Sequence, residues 1–541
     1  MPGIGRSQSD ESPHIGPRGK VEATRTERSR WMPSTSSATV AEEAERKYSA
    51  TGDRPLPDLT GLPSVDAIDV DRFELSAQYY DTADLCLLRS KITLRRREGG
   101  DDAGWHLKLP SGVDTRTELH FPLGDDSAED VPADLGSLLR GIRRGAPLSL
   151  AALLVTRRHR HRLRSSDGGF VAEVVVDDVD AVRSADGSEI RWKEIEVEWN
   201  STLGDKTIGR FLTALEERFA AVGITRSESP SKLHRVLGDL LPARPPIAKG
   251  LIPVRDYLSS ELHTLGLSDI AVRRDARDAV HSMRKAARRL RSALQTYSDE
   301  IVVDPDLVDE LRWLGRRLSP SRDLEVQWER LTDRVADIPV ESHREATRAR
   351  IDEYFSARSE AARLEAVDTL DSDRYVGLLT RLDAAITDIA PATEAAGARP
   401  KVARKELLRA VAALSKKVSR RVDRVGDAEN PAERDALMHR ARKGAKRMRY
   451  AIEVIAPLHP KRSGRILDRF DDFQDLLGEF QDSVVAREHL LDMLSEQGHT
   501  AETSFGLGIL FRIETEIGDA QAAHLDSGWR KAYRAARRLW T

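Results

Sequence analysis

Cysteine is almost missing from this chain of 541 residues: Cys86 stands alone. That excludes an intrachain disulfide framework and suits a reducing cytosol. No run of 18 or more apolar residues occurs, so neither a transmembrane helix nor a membrane partner is expected. The N-terminus lacks the apolar core of a secretory signal. There is no Gly-rich loop ending in Gly-Lys-Ser/Thr and no His/Cys cluster with zinc-ligand spacing. An excess of one charge sign is missing too, with 86 Lys and Arg against 89 Asp and Glu and a net charge of −3. Such a balance argues against a general nucleic-acid coat protein. Yet 32% of the residues are charged, so local patches carry what the total hides.

The most informative patch is duplicated. Residues 281–291 read His-Ser-Met-Arg-Lys-Ala-Ala-Arg-Arg-Leu-Arg, and residues 439–449 read His-Arg-Ala-Arg-Lys-Gly-Ala-Lys-Arg-Met-Arg. His281, Arg284, Lys285, Arg288, Arg289 and Arg291 answer to His439, Arg442, Lys443, Lys446, Arg447 and Arg449. At about 100° per residue each set covers one broad face of a helix. The opposite face is apolar, with Met283, Ala286, Ala287, Leu290 and Leu294 in one copy and Ala441, Ala445, Met448 and Ile452 in the other. Like charges on one helix face repel, and a polyanion is the simplest compensation.

The chain is long enough for two or three domains. Residues 1–38, rich in Ser, Arg, Pro and Gly, are expected to be a disordered tail. Residues 39–240 carry short strand signals separated by Gly, Asp and Ser turns, which predicts a mostly antiparallel β domain with a few helices. The Pro-rich stretch 241–250 is a linker. From 251 to 541 the period is helical, with breaks at Pro305, Pro320, Pro391, Pro400, Pro431 and Pro457. The duplication predicts two four-helix bundles about a pseudo-twofold axis.

Charge alternates along several strands of the β domain. Glu43, Glu45 and Lys47 share one face, as do Arg95 and Arg97, Arg116 and Glu118, Arg158 and Arg160, and Glu194, Glu196 and Glu198; Lys108 lies in Trp-His-Leu-Lys-Leu-Pro. Any one such face can simply be solvated. If they converge inside a barrel, the cations grip phosphate oxygens and the carboxylates hold Mg²⁺ or Mn²⁺, which bridges to the same phosphates and activates water. His106, His159 and His161 are expected on strand surfaces.

In order, Glu43-Ala-Glu45-Arg-Lys47, Tyr80-Asp81-Thr82 with Leu87-Leu88, Thr93-Leu94-Arg95-Arg96-Arg97, Trp105-His-Leu-Lys108-Leu-Pro, Glu194-Ile-Glu196-Val-Glu198 and Ser231-Lys232 resemble the CYTH domain of the triphosphate tunnel metalloenzymes. The resemblance covers residues 39–240. It implies an eight-stranded antiparallel tunnel that hydrolyses inorganic triphosphate, thiamine triphosphate or RNA 5′-triphosphates, or cyclises ATP. It implies metal ligands at Glu43, Glu45, Asp177, Glu194, Glu196 and Glu198. It also implies a triphosphate grip by Lys47, Arg95, Arg97, Lys108, Arg116, Arg158 and Lys232, with Glu43, Glu45 and Lys47 as the catalytic motif.

Residues 251–541 resemble the CHAD domain through the repeated basic motif, Tyr450 after its second copy, and the elements Ser321-Arg322-Asp323-Leu324 and Phe480-Gln481-Asp482-Ser483. That resemblance implies inorganic polyphosphate binding by His281, Arg284, Lys285, Arg288, Arg291, His439, Arg442, Lys443, Lys446, Arg449 and Tyr450. His281 and His439 have a second reading, in which each orients a carboxylate such as Asp323 or Asp482.

The expected protein is an α+β, multidomain triphosphatase with a tethered polyphosphate-binding module. It is expected to be cytosolic and associated with polyphosphate granules, with nucleic acid not expected as a partner. The alternative is a polyphosphate-binding protein whose tunnel is inactive; adenylate cyclisation ranks last, because no base-recognition signature is present.

Overall fold

Strands with one charged and one apolar face must bury the second, and here they do so outward. The computed structural model describes residues 38–50, 55–123, 130–389 and 402–539. All but the last residue of the expected tail, and the breaks at Pro391 and Pro400, lie outside them. The strands are β1 (Thr39–Ala50), β2 (Ala67–Asp81), β3 (Thr93–Glu98), β4 (Gly104–Pro110), β5 (Thr115–Phe121), β6 (Ser149–Arg164), β7 (Phe170–Arg183), β8 (Glu189–Trp199) and β9 (Ile224–Arg226). They lie antiparallel in the order β5-β4-β3-β2-β6-β7-β8-β1, and β1 pairs with β5, closing an eight-stranded barrel. The short β9 continues along the edge of β1 beyond β5.

Helices cover the outer apolar faces. Tyr48, Val174, Ile195 and Val197 pack on Ile208, Phe211, Leu215 and Phe219 of α4 (Asp205–Ala221). Phe211 and Leu215 are wholly buried, and each such side chain stabilises by about 1.5–3 kcal/mol. On another side, Leu94, Leu107 and Leu119 pack on Leu135, Leu139 and Ile142, in and between α2 (Ala133–Leu138) and α3 (Arg140–Arg143). The core therefore lies outside the barrel, and the interior is left to charge. Two further short helices are α1 (Cys86–Arg89) and α5 (Lys232–Leu237).

The remainder is helical: α6 (Ile252–Arg273), α7 (Ala279–Thr296), α8 (Pro305–Arg317), α9 (Ser319–Arg334), α10 (Glu341–Asp371), α11 (Asp373–Thr387), α12 (Val402–Asp423), α13 (Pro431–Ile455), α14 (Pro460–Ser495) and α15 (Ala501–Arg537). The repeat is visible in the elements. The basic helices α7 and α13 correspond; α8 with α9 corresponds to the single helix α14, and α10 with α11 to α15. The first copy is broken twice for local reasons. Pro320 lies in the first turn of α9, where its missing N–H costs nothing, and the Ser372 side chain caps α11 by accepting from the Tyr375 backbone N–H. At the corresponding places Gly478 and Arg530 lie inside continuous helices. A single apolar core joins both copies through α7 and α13.

Barrel and helices meet where α3 rests on α6. Gly141 is needed there, since a Cβ would stand 1.8 Å from Asp269 Oδ2, and Arg144 pairs with Asp383 at 2.7 Å.

Candidate functional site

The inward strand faces enclose a cavity of about 290 Å³. Glu43, Glu45, Lys47, Arg95, Arg97, Lys108, Arg116, Arg158, Lys232, Glu196 and Glu198 all line it. Register places opposite charges side by side: Glu43 faces Arg116, Lys47 faces Glu196, and Arg158 faces Asp177. Arg116 Nε lies 3.1 Å from Glu45, Lys47 lies 3.0 Å from Glu45 and also pairs with Glu196, and Lys108 pairs with Glu43.

Asp177 and Glu194 do not line the cavity but lie buried behind it. Arg158 donates two hydrogen bonds to Asp177, at 2.8 and 2.7 Å. The Asp177–Glu194–Glu196 cluster has metal-binding geometry, yet the Lys232 ammonium stands within it, 3.0, 2.6 and 2.8 Å from the three carboxylates. Burial alone would lower the pKa of Lys232, but Glu194, Glu196 and Asp177 outweigh it and hold the amine protonated. Glu196, against its own desolvation, is kept well below the usual carboxylate range by Lys232 and Lys47.

Glu198 is different. Among the described residues no cation pairs with it, and its neighbour across the sheet is another acid, Glu45. Water reaches it, though protein surrounds it on most sides. Burial, then the Glu43 carboxylate, pushes it up to about 7. Burial also raises Glu43, despite Lys108. Carboxylates left under-compensated beside one another suit a hard divalent cation; Glu43 and Glu198 are such carboxylates, whereas Glu45, across from Glu198 on the same inward face, is already held by Lys47 and Arg116.

Glu118, Glu173 and Arg160 also line the cavity. Glu118 and Arg160 belong to the alternating charged faces of β5 and β6. His106 is a correction. It is buried rather than on the strand surface, with Nδ1 2.7 Å from Glu118 Oε1 and Nε2 2.9 Å from the Asp102 carbonyl. It shares an inward face with Lys108, two residues on. His159 and His161 are half-buried neighbours, their rings 4.7 Å apart.

The second site is a groove of about 1050 Å³ lined by α7, α8 and α9 of the first copy and α13 and α14 of the second, with Arg421 of α12 at its edge. Eleven Arg and Lys side chains line it against two acids, Asp323 and Asp482. Each acid sits by one of a repeat-related pair: Arg284 lies 2.8 Å from Asp323, and Arg442 lies 3.8 Å from Asp482. Among the described residues no carboxylate lies within 4.0 Å of the charged groups of Arg288, Arg291, Lys443, Lys446 or Arg447. Burial, then Arg442 and Arg288, pulls Lys446 down to about 6, and burial, then Arg322, pulls His281 down to about 4. The two acids therefore do not neutralise the array.

Of the residues expected here, His281, Arg284, Arg288, Arg291, His439, Arg442, Lys443 and Lys446 line the groove. Lys285, Arg449 and Tyr450 do not. Arg449 turns to Glu453 and Asp471, at 2.9 and 2.7 Å. Tyr450 is buried beneath Arg289, which itself pairs with Glu261 and Glu453. His439 bonds Gln481 Oε1 at 2.6 Å, not a carboxylate. Arg312, Arg316, Arg322 and Arg421 join the groove unforeseen.

Lys446 makes binding in the groove pH-dependent. Burial, Arg442 and Arg288 disfavour the charged form of Lys446, and a polyanion beside it favours that form. Polyanion binding at pH 7.5 should therefore take up about one proton, and affinity should fall as pH rises from 6 to 8. Calorimetry in buffers of different ionisation enthalpy reads the uptake directly.

The fold is thus a barrel with a charged lumen joined to a helical body with a cationic trough. Comparison with known proteins agrees: the CYTH domain matches residues 41–234 and the CHAD domain matches residues 256–491. Two uncharacterised proteins of Mycobacterium tuberculosis, from strains CDC 1551 and H37Rv, are each 32% identical over 511 residues, 92% of this chain and 97% of theirs. The chain belongs to this family, in which a CYTH domain precedes a CHAD domain. Among solved structures, PptA from Streptomyces chartreusis is 17% identical (51% of this chain, 98% of that one, TM-score 0.43). The CHAD domain of Ricinus communis is 25% identical (53% and 96%, TM-score 0.40). CYTH domains are metal-dependent and include triphosphatases and adenylate cyclases; CHAD domains are known for binding polyphosphate. No described helix is long and apolar enough to cross a membrane.

Proposed function

We propose that the barrel hydrolyses inorganic triphosphate to diphosphate and phosphate, and that the helical groove binds inorganic polyphosphate. The observation that carries the first part is the convergence of Lys47, Arg95, Lys108, Arg116 and Arg158 with the under-compensated acids Glu43 and Glu198 in one cavity. Phosphoryl transfer needs positioning and charge neutralisation above all. Arg95, Arg116 and Arg158 orient and neutralise the non-bridging oxygens, and Lys47, fixed by Glu45 and Glu196, holds a proton beside them. Mg²⁺ or Mn²⁺ held by Glu43, Glu45 and Glu198 would supply Lewis-acid polarisation.

Colorimetric phosphate release from triphosphate, with and without Mg²⁺, tests this. Turnover should need the cation and fall tenfold or more in Glu43→Gln. No release from the wild type, or an unchanged rate in the variant, removes the catalytic reading. The second reading, a tunnel that binds without turnover, is favoured by one observation: Lys232 already fills the Asp177–Glu194–Glu196 cluster.

For the groove, polyphosphate offers a dense line of charge with no base to stack, which suits a trough whose lining contains no Phe, Tyr or Trp. By analogy with nucleic acids, affinity should fall steeply with salt. Duplex DNA at physiological salt should compete poorly.

A further inference from the structure

The two ends of the barrel are closed by different chemistry. At one end α5 inserts Lys232 among buried acids, and Arg116 donates to the Pro230 carbonyl at 2.9 Å. At the other stands the β3–β4 turn, residues 99–103. Successive inward arginines of β6 lead there: Arg158 on buried Asp177, then Arg160, then Arg162 on the rim. The turn carries two acids. Asp71 of β2 holds Arg160 through both prongs of its guanidinium, and Asp101 bridges from Arg160, at 3.0 Å, to Arg162, at 2.8 Å, while Asp102 pairs with Arg97. Both acids border the cavity, and both are more than half exposed outward.

The turn is fastened in place. His106 Nε2 bonds the Asp102 carbonyl at 2.9 Å, and His120 Nε2 bonds the Ala103 carbonyl at 3.3 Å. Gly99, at φ +83°, lies so close to the middle of β2 that a Cβ would stand 2.4 Å from the Glu74 carbonyl oxygen. A side chain there would lift the turn away. Arg97 has no other carboxylate partner among the described residues. Burial, then Arg95 and Arg158, lowers it to about 9, so its charge remains poorly compensated even with Asp102 beside it.

A carboxylate and a phosphate group offer a guanidinium the same kind of charge-assisted oxygen acceptor. We propose that Asp101 and Asp102 set the length of phosphate chain the tunnel accepts, by occupying the positions on Arg97, and between Arg160 and Arg162, that a fourth phosphate would take. This rests on the triphosphatase reading of the same cavity. A triphosphate is gripped by the cations further in. A longer chain must displace two anchored carboxylates at the mouth and meets their negative charge on the way. The substrate class is thereby narrowed to the free short chain, and long polyphosphate is left to the helical groove.

The test compares inorganic triphosphate with tetraphosphate in the full-length wild type and in Asp101→Asn/Asp102→Asn, which keeps the turn's shape and removes its charge. KM for tetraphosphate relative to triphosphate should fall about tenfold or more in the variant. Asp101→Ala/Asp102→Ala should shift the ratio the same way, which guards against a peculiarity of the asparagines. An unchanged ratio in both variants overturns the proposal. If the wild type turns over neither compound, the catalytic reading fails by itself. The length rule is then read from calorimetric affinities for the two compounds, in which the helical groove, identical in all three proteins, cancels. A tetraphosphate-to-triphosphate affinity ratio that rises in the variants supports the rule, and an unchanged one overturns it.

Discussion

Arg288→Glu combined with Lys446→Glu lowers polyphosphate affinity by about 10³-fold and leaves the protein at least as stable as before. Both side chains line the groove, and neither has a carboxylate partner among the described residues. Each charge-assisted contact contributes about 2 kcal/mol, and losing two gives about 4 kcal/mol, or roughly three decades in affinity. The reversed charges add repulsion to that. Stability moves the other way, because burial, and then the crowding of Arg442 and Arg288, disfavours the Lys446 charge in the folded protein. Lys446→Met alone should raise Tm by about 2–4 °C for every kcal/mol of relief. A fall in affinity with a rise in Tm marks a side chain kept for a ligand. Fluorescence anisotropy with labelled polyphosphate, together with a thermal melt, reads both. Unchanged affinity would place the polyanion elsewhere.

Lys232→Met has the opposite balance and the largest expected cost to the fold. The ammonium is buried and touches Asp177, Glu194 and Glu196. Removing one partner of a buried charge network leaves the others uncompensated and costs about 3–5 kcal/mol. In a unit the size of the barrel domain that lowers Tm by roughly 6–20 °C. The pH dependence has a definite sign. Asp177 and Glu196 have folded pKa values below their unfolded ones, so their contribution is complete above the unfolded value and is lost as pH falls through the folded value. In the variant the two carboxylates lose their main support. The barrel should then gain stability, relative to wild type, as pH drops from 7 towards 4. Denaturant melts at pH 4, 5 and 7 test this. Equal losses at every pH would mean that Lys232 acts by packing rather than by charge.

The barrel and its lining were legible because a strand has a period of two, which turns Glu43, Glu45 and Lys47 into neighbours on one face. The same rule contained His106, since Lys108 faces inward and lies two residues away. His106 was misplaced because a histidine between Trp105 and Leu107 says nothing by itself about which face is wet. The groove was half legible. Helical periodicity gives a face but not what the next helix covers. In α7 the flank bearing Lys285 and Arg289 meets Glu261 and Glu453, whereas in α13 the same flank, Lys443 and Arg447, opens to the groove. Arg312 and Arg316, four apart on α8, carried a one-face signal. Arg322 and Arg421 reach the groove through tertiary packing that no local pattern encodes.

Crystals grown with inorganic triphosphate and Mn²⁺, with anomalous scattering used to find the metal, test the central claim most directly. The account predicts a Mn²⁺ peak among Glu43, Glu45 and Glu198, with the phosphate chain running inward from it along Arg95, Arg116 and Arg158. Triphosphate found only in the helical groove, with the barrel lumen holding water and its own ion pairs, would contradict it.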